Sequence, residues 1–141
     1  MNWKIIDFRH RTLQTVAGTC SVFECSPGDY ILSLNRKELL GYNASGWDDA
    51  MQRAKYQLLI IANTASSCVP WWKNNWTALT PLGLLTVKLW SDSYMVKLGN
   101  KVIHDIEIVD MLHPLTTAHT IRMHAEDAFR KLAKDLAAEL S

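Results

Sequence analysis

The histidines offer the most direct chemistry in this chain. His104, His113, His119 and His124 fall within its last third, and neutral imidazole is the commonest metal ligand among side chains. Two ligands on one helical face need separations of three or four residues. The last three histidines stand six and five apart, and no Glu is placed as in HExxH. The spacing points to histidines that pack, cap or face water, and no metal is expected. Cys20 and Cys25, five apart on a predicted strand, point to opposite faces and cannot form a CxxC-like clamp. Small buried cysteines are the expectation.

Nucleophilic catalysis needs a Ser or Cys beside a His with an orienting carboxylate, and no GxSxG elbow presents one. No GxGxxG occurs, and residues 41–46 (Gly-Tyr-Asn-Ala-Ser-Gly) lack the Lys-Ser/Thr of a phosphate-binding loop. No catalytic residue and no cofactor is therefore expected. What remains is surface. If Tyr30, Leu32, Leu34, Val87, Leu89, Tyr94, Val96 and Leu98 face the helices, period-two alternation puts Phe23, Ile31, Lys88, Trp90, Met95 and Lys97 on the opposite face. Rings interleaved with lysines on an open sheet suit single-stranded nucleic acid, where rings stack on bases and amines meet phosphates. The same face suits a protein partner. A second candidate surface is the linker trio Trp71, Trp72 and Trp76, since Trp is enriched at interface hot spots; the alternative is that these indoles cap the first helix and join the two halves.

The elements that must carry these residues are announced by a repeat. Residues 15–37 (TVAGTCSVFECSPGDYILSLNRK) align with residues 80–101 (TPLGLLTVKLWSDSYMVKLGNK), matching Thr15 to Thr80, Gly18 to Gly83, Val22 to Val87 and Ser26 to Ser91. Once Gly28 is skipped, Tyr30 matches Tyr94, Leu34 matches Leu98 and Lys37 matches Lys101. Each copy precedes an amphipathic helix led by Asp-Ala. The expected fold is α+β: an internal duplication of a β-β-β-α unit, with antiparallel sheets and one helix per repeat packed on one face. It would form a single domain over 1–141, with repeats at 1–62 and 76–141 joined by a Trp-rich linker, 63–75.

In chain order, residues 3–8 alternate weakly and suit a strand partly buried on both faces, which Arg9, His10 and Arg11 end as a solvated edge. Strands are expected over 16–24 and 30–34 about a Pro27-Gly28 turn, then over 38–42. Ser45 caps a helix over 46–62, with Asp48 and Asp49 on the positive end of its dipole and Trp47, Ala50, Met51, Ala54, Leu58 and Ile61 as its apolar stripe. The second unit begins at Leu82, turns at Gly99-Asn100, and adds a strand over 102–109 and an insertion over 106–118 containing Pro114. It closes with a helix from 117 or 119 to 140 whose stripe is Ala125, Ala128, Phe129, Leu132, Leu136 and Leu140. The order of strands then helix, given twice, is similar in outline to Pur-repeat and Whirly-type single-strand binders. The similarity is one of topology, carries none of their motifs, and assigns no family or function.

The bulk numbers bound the function. The chain has 141 residues and is 48% hydrophobic, enough for one core. Fifteen Lys and Arg stand against fourteen Asp and Glu, so no strong field recruits nucleic acid or an anionic membrane. No apolar run approaches the roughly 20 residues of a membrane span. Three cysteines and an N-terminus without a long apolar core fit a reducing cytoplasm. The leading expectation is a non-catalytic binding protein: an adaptor or inhibitor of a cytoplasmic protein complex, of the kind phages and mobile elements encode, with another protein or a second copy of itself as partner. Single-stranded nucleic-acid binding is the alternative, and a small metal-dependent enzyme comes third.

Overall fold

The computed structural model describes residues 2–65, 69, 71, 76–90, 93–107 and 114–141, without the side chains of 105–107 and 114–117. Five strands, β1 (Lys4–Asp7), β2 (His10–Thr15), β3 (Gly18–Ser26), β4 (Asp29–Leu34) and β5 (Lys37–Asn43), precede α1 (Trp47–Ala65). Four more, β6 (Thr77–Thr80), β7 (Gly83–Leu89), β8 (Ser93–Leu98) and β9 (Lys101–Glu107), precede α2 (Pro114–Leu140). The protein is α+β, with two antiparallel sheets ordered β1-β2-β3-β4-β5 and β6-β7-β8-β9, each followed by a helix.

Each unit was expected to hold three strands and holds more, because Thr15 and Thr80 close turns that alternation alone does not show. Thr15 Oγ1 donates to Gly18 O (2.8 Å) and accepts from Ala17 N (3.1 Å). Thr80 Oγ1 donates to Gly83 O (2.6 Å) and accepts from Leu82 N (3.2 Å). Gly18 and Gly83, at φ 120° and 126°, occupy backbone space that side chains avoid. The expected strand over 16–24 therefore begins only at Gly18, as β3, and His10 opens β2 instead of ending β1. The first strand is also exposed on both faces, where partial burial was expected: it pairs with β2 on one side and nothing described covers it.

Beyond these turns the two sheets run in step. The Asn35-Arg36 turn, with φ 51° and 69°, corresponds to Gly99-Asn100, with Gly99 at φ 59°. Asn35 N donates to Thr19 O (2.9 Å), as Gly99 N does to Leu84 O (2.8 Å). The register shifts between Leu32 and Ser33 opposite β5, and between Val96 and Lys97 opposite β9, positions the alignment equates. Trp71 bridges Ala78 as β1 flanks β2, and extending the β1–β2 register places Trp3 opposite Leu13, the counterpart of Ala78.

The core unites both sheets and both helices. Cys20, Val22, Tyr30, Leu32 and Leu34 of the first sheet, and Leu85, Val87, Tyr94, Val96 and Leu98 of the second, are buried with Ala50, Ala54, Leu58, Ala62 and Ala65 of α1 and Ile121, Ala125, Phe129, Ala133 and Leu136 of α2. Each large apolar side chain so buried contributes about 1.5–3 kcal/mol. The alanines of α1 let the helices pack closely, and α1 and α2 contact each other. Leu89, expected inside, lies at the end of β7 and is exposed.

The helix ends differ in detail from expectation. Ser45 N and Ser45 Oγ both donate to the Asp49 carboxylate (3.0 and 3.2 Å), so Asp49, not Asp48, closes the box, and α1 starts at Trp47. The helix extends to Ala65, into the expected linker. Pro114, assigned to a loop, opens α2, since a missing N–H costs nothing in a first helical turn. The burial pattern matches Ala50 with Ile121, two turns earlier than the Asp-Ala pairing with Ala128 implies.

Candidate functional site

The structure divides the six outer-face residues between two sheets. Phe23 and Ile31 are direct cross-strand partners on the first. Lys88 and Met95 are direct partners on the second, and Lys97 pairs with Thr86 in the neighbouring row. Trp90 follows the end of β7, its N–H donating to Ser93 O (2.9 Å), and it is 49% exposed. Leu79 and Leu84, paired across β6 and β7, and Val102, opposite Lys97, are also exposed. Alternation had not singled out these three. Leu79 lies on β6, a strand that was not expected, while Leu84 and Val102 lie near the starts of β7 and β9.

The linker tryptophans take up positions against the second half. Trp71 donates its indole N–H to Glu126 Oε1 (2.6 Å), and the Trp76 ring lies under Arg122 (4.5 Å). Both pack against the core. Trp72, Cys68 and His113 lie outside the described residues. Cys20 is buried, whereas Cys25, expected to be buried as well, is exposed. Burial pushes the Cys20 thiol up to about 12.

The remaining histidines disperse. His119 is exposed on α2. His124 Nδ1 lies 3.1 Å from the Tyr94 hydroxyl, and the His104 ring lies 5.7 Å from the Tyr94 ring. Burial raises the Tyr94 pKa above its ordinary value. These two histidines line a groove of about 590 Å³ between β9 and α2, where Ile103, Ala128 and Leu132 give an apolar wall and Lys101, Lys131, Asp127 and Asp135 mix both charges. Among the described residues, no three His, Cys, Asp or Glu converge as a metal site.

A second concavity, about 490 Å³, lies on the outer face of the first sheet. Cross-strand register sets Thr12, Ser21 and Ser33 side by side on β2, β3 and β4. Beside them, the ring of His10 stacks on Phe23 at 4.0 Å between centroids. The other wall is Thr19, Asn35 and Arg36, joined by Asn100 from the second half. Only Phe23 of this set was singled out by alternation; the hydroxyl row was legible as polar residues at outward positions but depended on knowing β2.

Comparison with known protein families, curated proteins and solved structures finds no match to this chain. No described helix is long and apolar enough to cross a membrane.

Proposed function

We propose that this chain is an internally duplicated, non-catalytic binding protein, an adaptor or inhibitor that docks on another protein through the outer face of its second sheet. The observation that carries this reading is the open outer face on which Leu79 pairs with Leu84, Lys97 with Val102 in the next row, and Lys88 with Met95 in the row after, with Trp90 following the end of β7. Clustered apolar side chains on a sheet face that no described element covers favour a partner surface. A near-neutral chain lacks the excess cationic charge that drives strand binding. The duplication is supported by the shared threonine turns, the bulges at equivalent positions and the matched hydrogen bonds of Asn35 and Gly99.

The test is a pull-down from native cells with wild type and with Lys88→Glu/Met95→Glu. A discrete partner retained by the first and lost by the second, at equal thermal stability, supports the reading; a partner retained by both sinks it. Light scattering on the same pair identifies self-association, as a dimer that the variant turns into a monomer. Single-stranded nucleic acid is the second reading, favoured by the two lysines beside an open indole. Oligonucleotide affinity that falls steeply with salt and vanishes in Lys88→Ala/Lys97→Ala would establish it instead.

A further inference from the structure

We propose that the concavity on the outer face of the first sheet binds a nucleotide through its phosphate. This goes beyond the protein-docking reading, which rests on the other sheet. The floor is the row Thr12, Ser21 and Ser33, on adjacent strands about 4.8 Å apart. Thr12 and Ser33 are only 9% and 7% exposed, yet neither hydroxyl bonds to a described group or is sealed from the surface. Both open onto the cavity as donors awaiting an acceptor.

Charge decides the class of ligand. Among the described residues that line this cavity none is acidic and Arg36 carries the fixed charge; Glu38, the exposed cross-strand partner of Ser33, is not one of them. The β9–α2 groove, in contrast, carries Asp127 and Asp135. Hydroxyl donors converging under a guanidinium suit phosphate oxygens. Asn35 is a wall and not a donor to the ligand, because its Nδ2 donates to Ala17 O (2.8 Å) and its Oδ1 accepts from Thr19 N (3.1 Å). That arrangement holds the turn that carries Arg36.

The rings supply the rest of the ligand. Phe23 remains 39% exposed while stacked on His10, leaving ring surface for a base. His10 is held against Phe23 by that stacking and forms the end wall of the cavity. The second sheet lacks this constellation: at the places of Thr19, Phe23, Ser33 and Asn35 it carries Leu84, Lys88, Lys97 and Gly99. The cavity is therefore peculiar to the first half and is not a by-product of the shared architecture.

The test is titration of the intact protein with adenosine 5′-monophosphate, adenosine, inorganic phosphate and a ten-nucleotide single-stranded DNA, followed by amide shifts and calorimetry. The expected result is that the monophosphate shifts the amides of Thr12, Ser21 and Ser33 and binds about tenfold or more tighter than adenosine. Arg36→Gly, which suits the positive φ at that position, should fold normally and lose a similar factor. A tighter oligonucleotide on the same amides would make the natural source a strand, and binding of the monophosphate alone would make it a free nucleotide. The proposal is overturned if millimolar monophosphate leaves those amides unmoved, if Arg36→Gly binds as well as wild type, or if inorganic phosphate binds as tightly as the nucleotide.

Discussion

The Arg11 guanidinium lies 4.1 Å from the centroid of the Trp47 ring, and a second cation–ring contact joins sheet to helix in the other half. There the strand supplies the ring, Trp76, and the helix supplies the cation, Arg122 (4.5 Å). The strand alignment equates Arg11 with Trp76, while helix burial equates Met51, not Trp47, with Arg122. Each half thus has a cation stacked on a ring between sheet and helix, made from helix positions that are not equivalent. A double-mutant cycle on Arg11→Ala and Trp47→Ala should give a coupling of about 0.5–2 kcal/mol. A coupling near zero would show that the cation and the ring do not interact.

Gly18 and Gly83 match in sequence and differ in what surrounds them. A Cβ at Gly18 would run into the Asn35 carboxamide, whereas at Gly83 the nearest atoms, in Leu98 and Lys37, are 3.9 Å away. Both substitutions to Ala strain a positive φ. Chemical denaturation should nonetheless find Gly18→Ala the more damaging, and Asn35→Ala should cost about 1–3 kcal/mol through the two bonds it loses. Equal losses at the two glycines would deny Asn35 its role.

Thiol labelling should separate Cys20 from Cys25. With its pKa raised by burial to about 12, Cys20 carries almost no thiolate at pH 8, while Cys25 is exposed. Iodoacetamide followed by peptide mass spectrometry should modify Cys25 in the native protein and Cys20 only after unfolding. Native labelling of Cys20 would contradict its place in the core.

The Ser45 backbone N–H, aided by Arg53, holds the Asp49 carboxyl below its ordinary value. A depressed folded-state pKa means that the unfolded chain binds the proton first. The stabilisation is therefore complete above the unfolded value, near about 4, and is lost as pH falls through the folded value. Asp49→Asn should melt below wild type at neutral pH, with the gap closing in acid. A gap that persists below the folded value would assign the effect to something other than the charge.

Trp90→Ala should leave stability within about 0.5 kcal/mol, since the ring is half exposed, whereas Phe129→Ala should cost about 3–5 kcal/mol from the centre of the core. Paired urea curves distinguish them. A Trp90 variant that unfolds early would place that ring in the core and remove it from the proposed docking face.

The sequence by itself determined the features that depend on neighbours along the chain. Alternation from Tyr30 to Leu34 and from Tyr94 to Leu98 set which side chains go inside, because a strand's faces follow from its period of two. Asn35-Arg36 and Gly99-Asn100 placed the hairpin turns, and the stripe through Ala125, Phe129 and Leu136 set the buried face of α2. Only the tertiary structure decided what depends on distant partners. β2 and β6 became strands by pairing with β3 and β7, across turns that Thr15 and Thr80 close locally. Phe23 and Trp90, alike by alternation, were divided between separate sheets. Thr12, Ser21 and Ser33, scattered along the chain, became one row because strand register, a property of paired backbones, set them side by side.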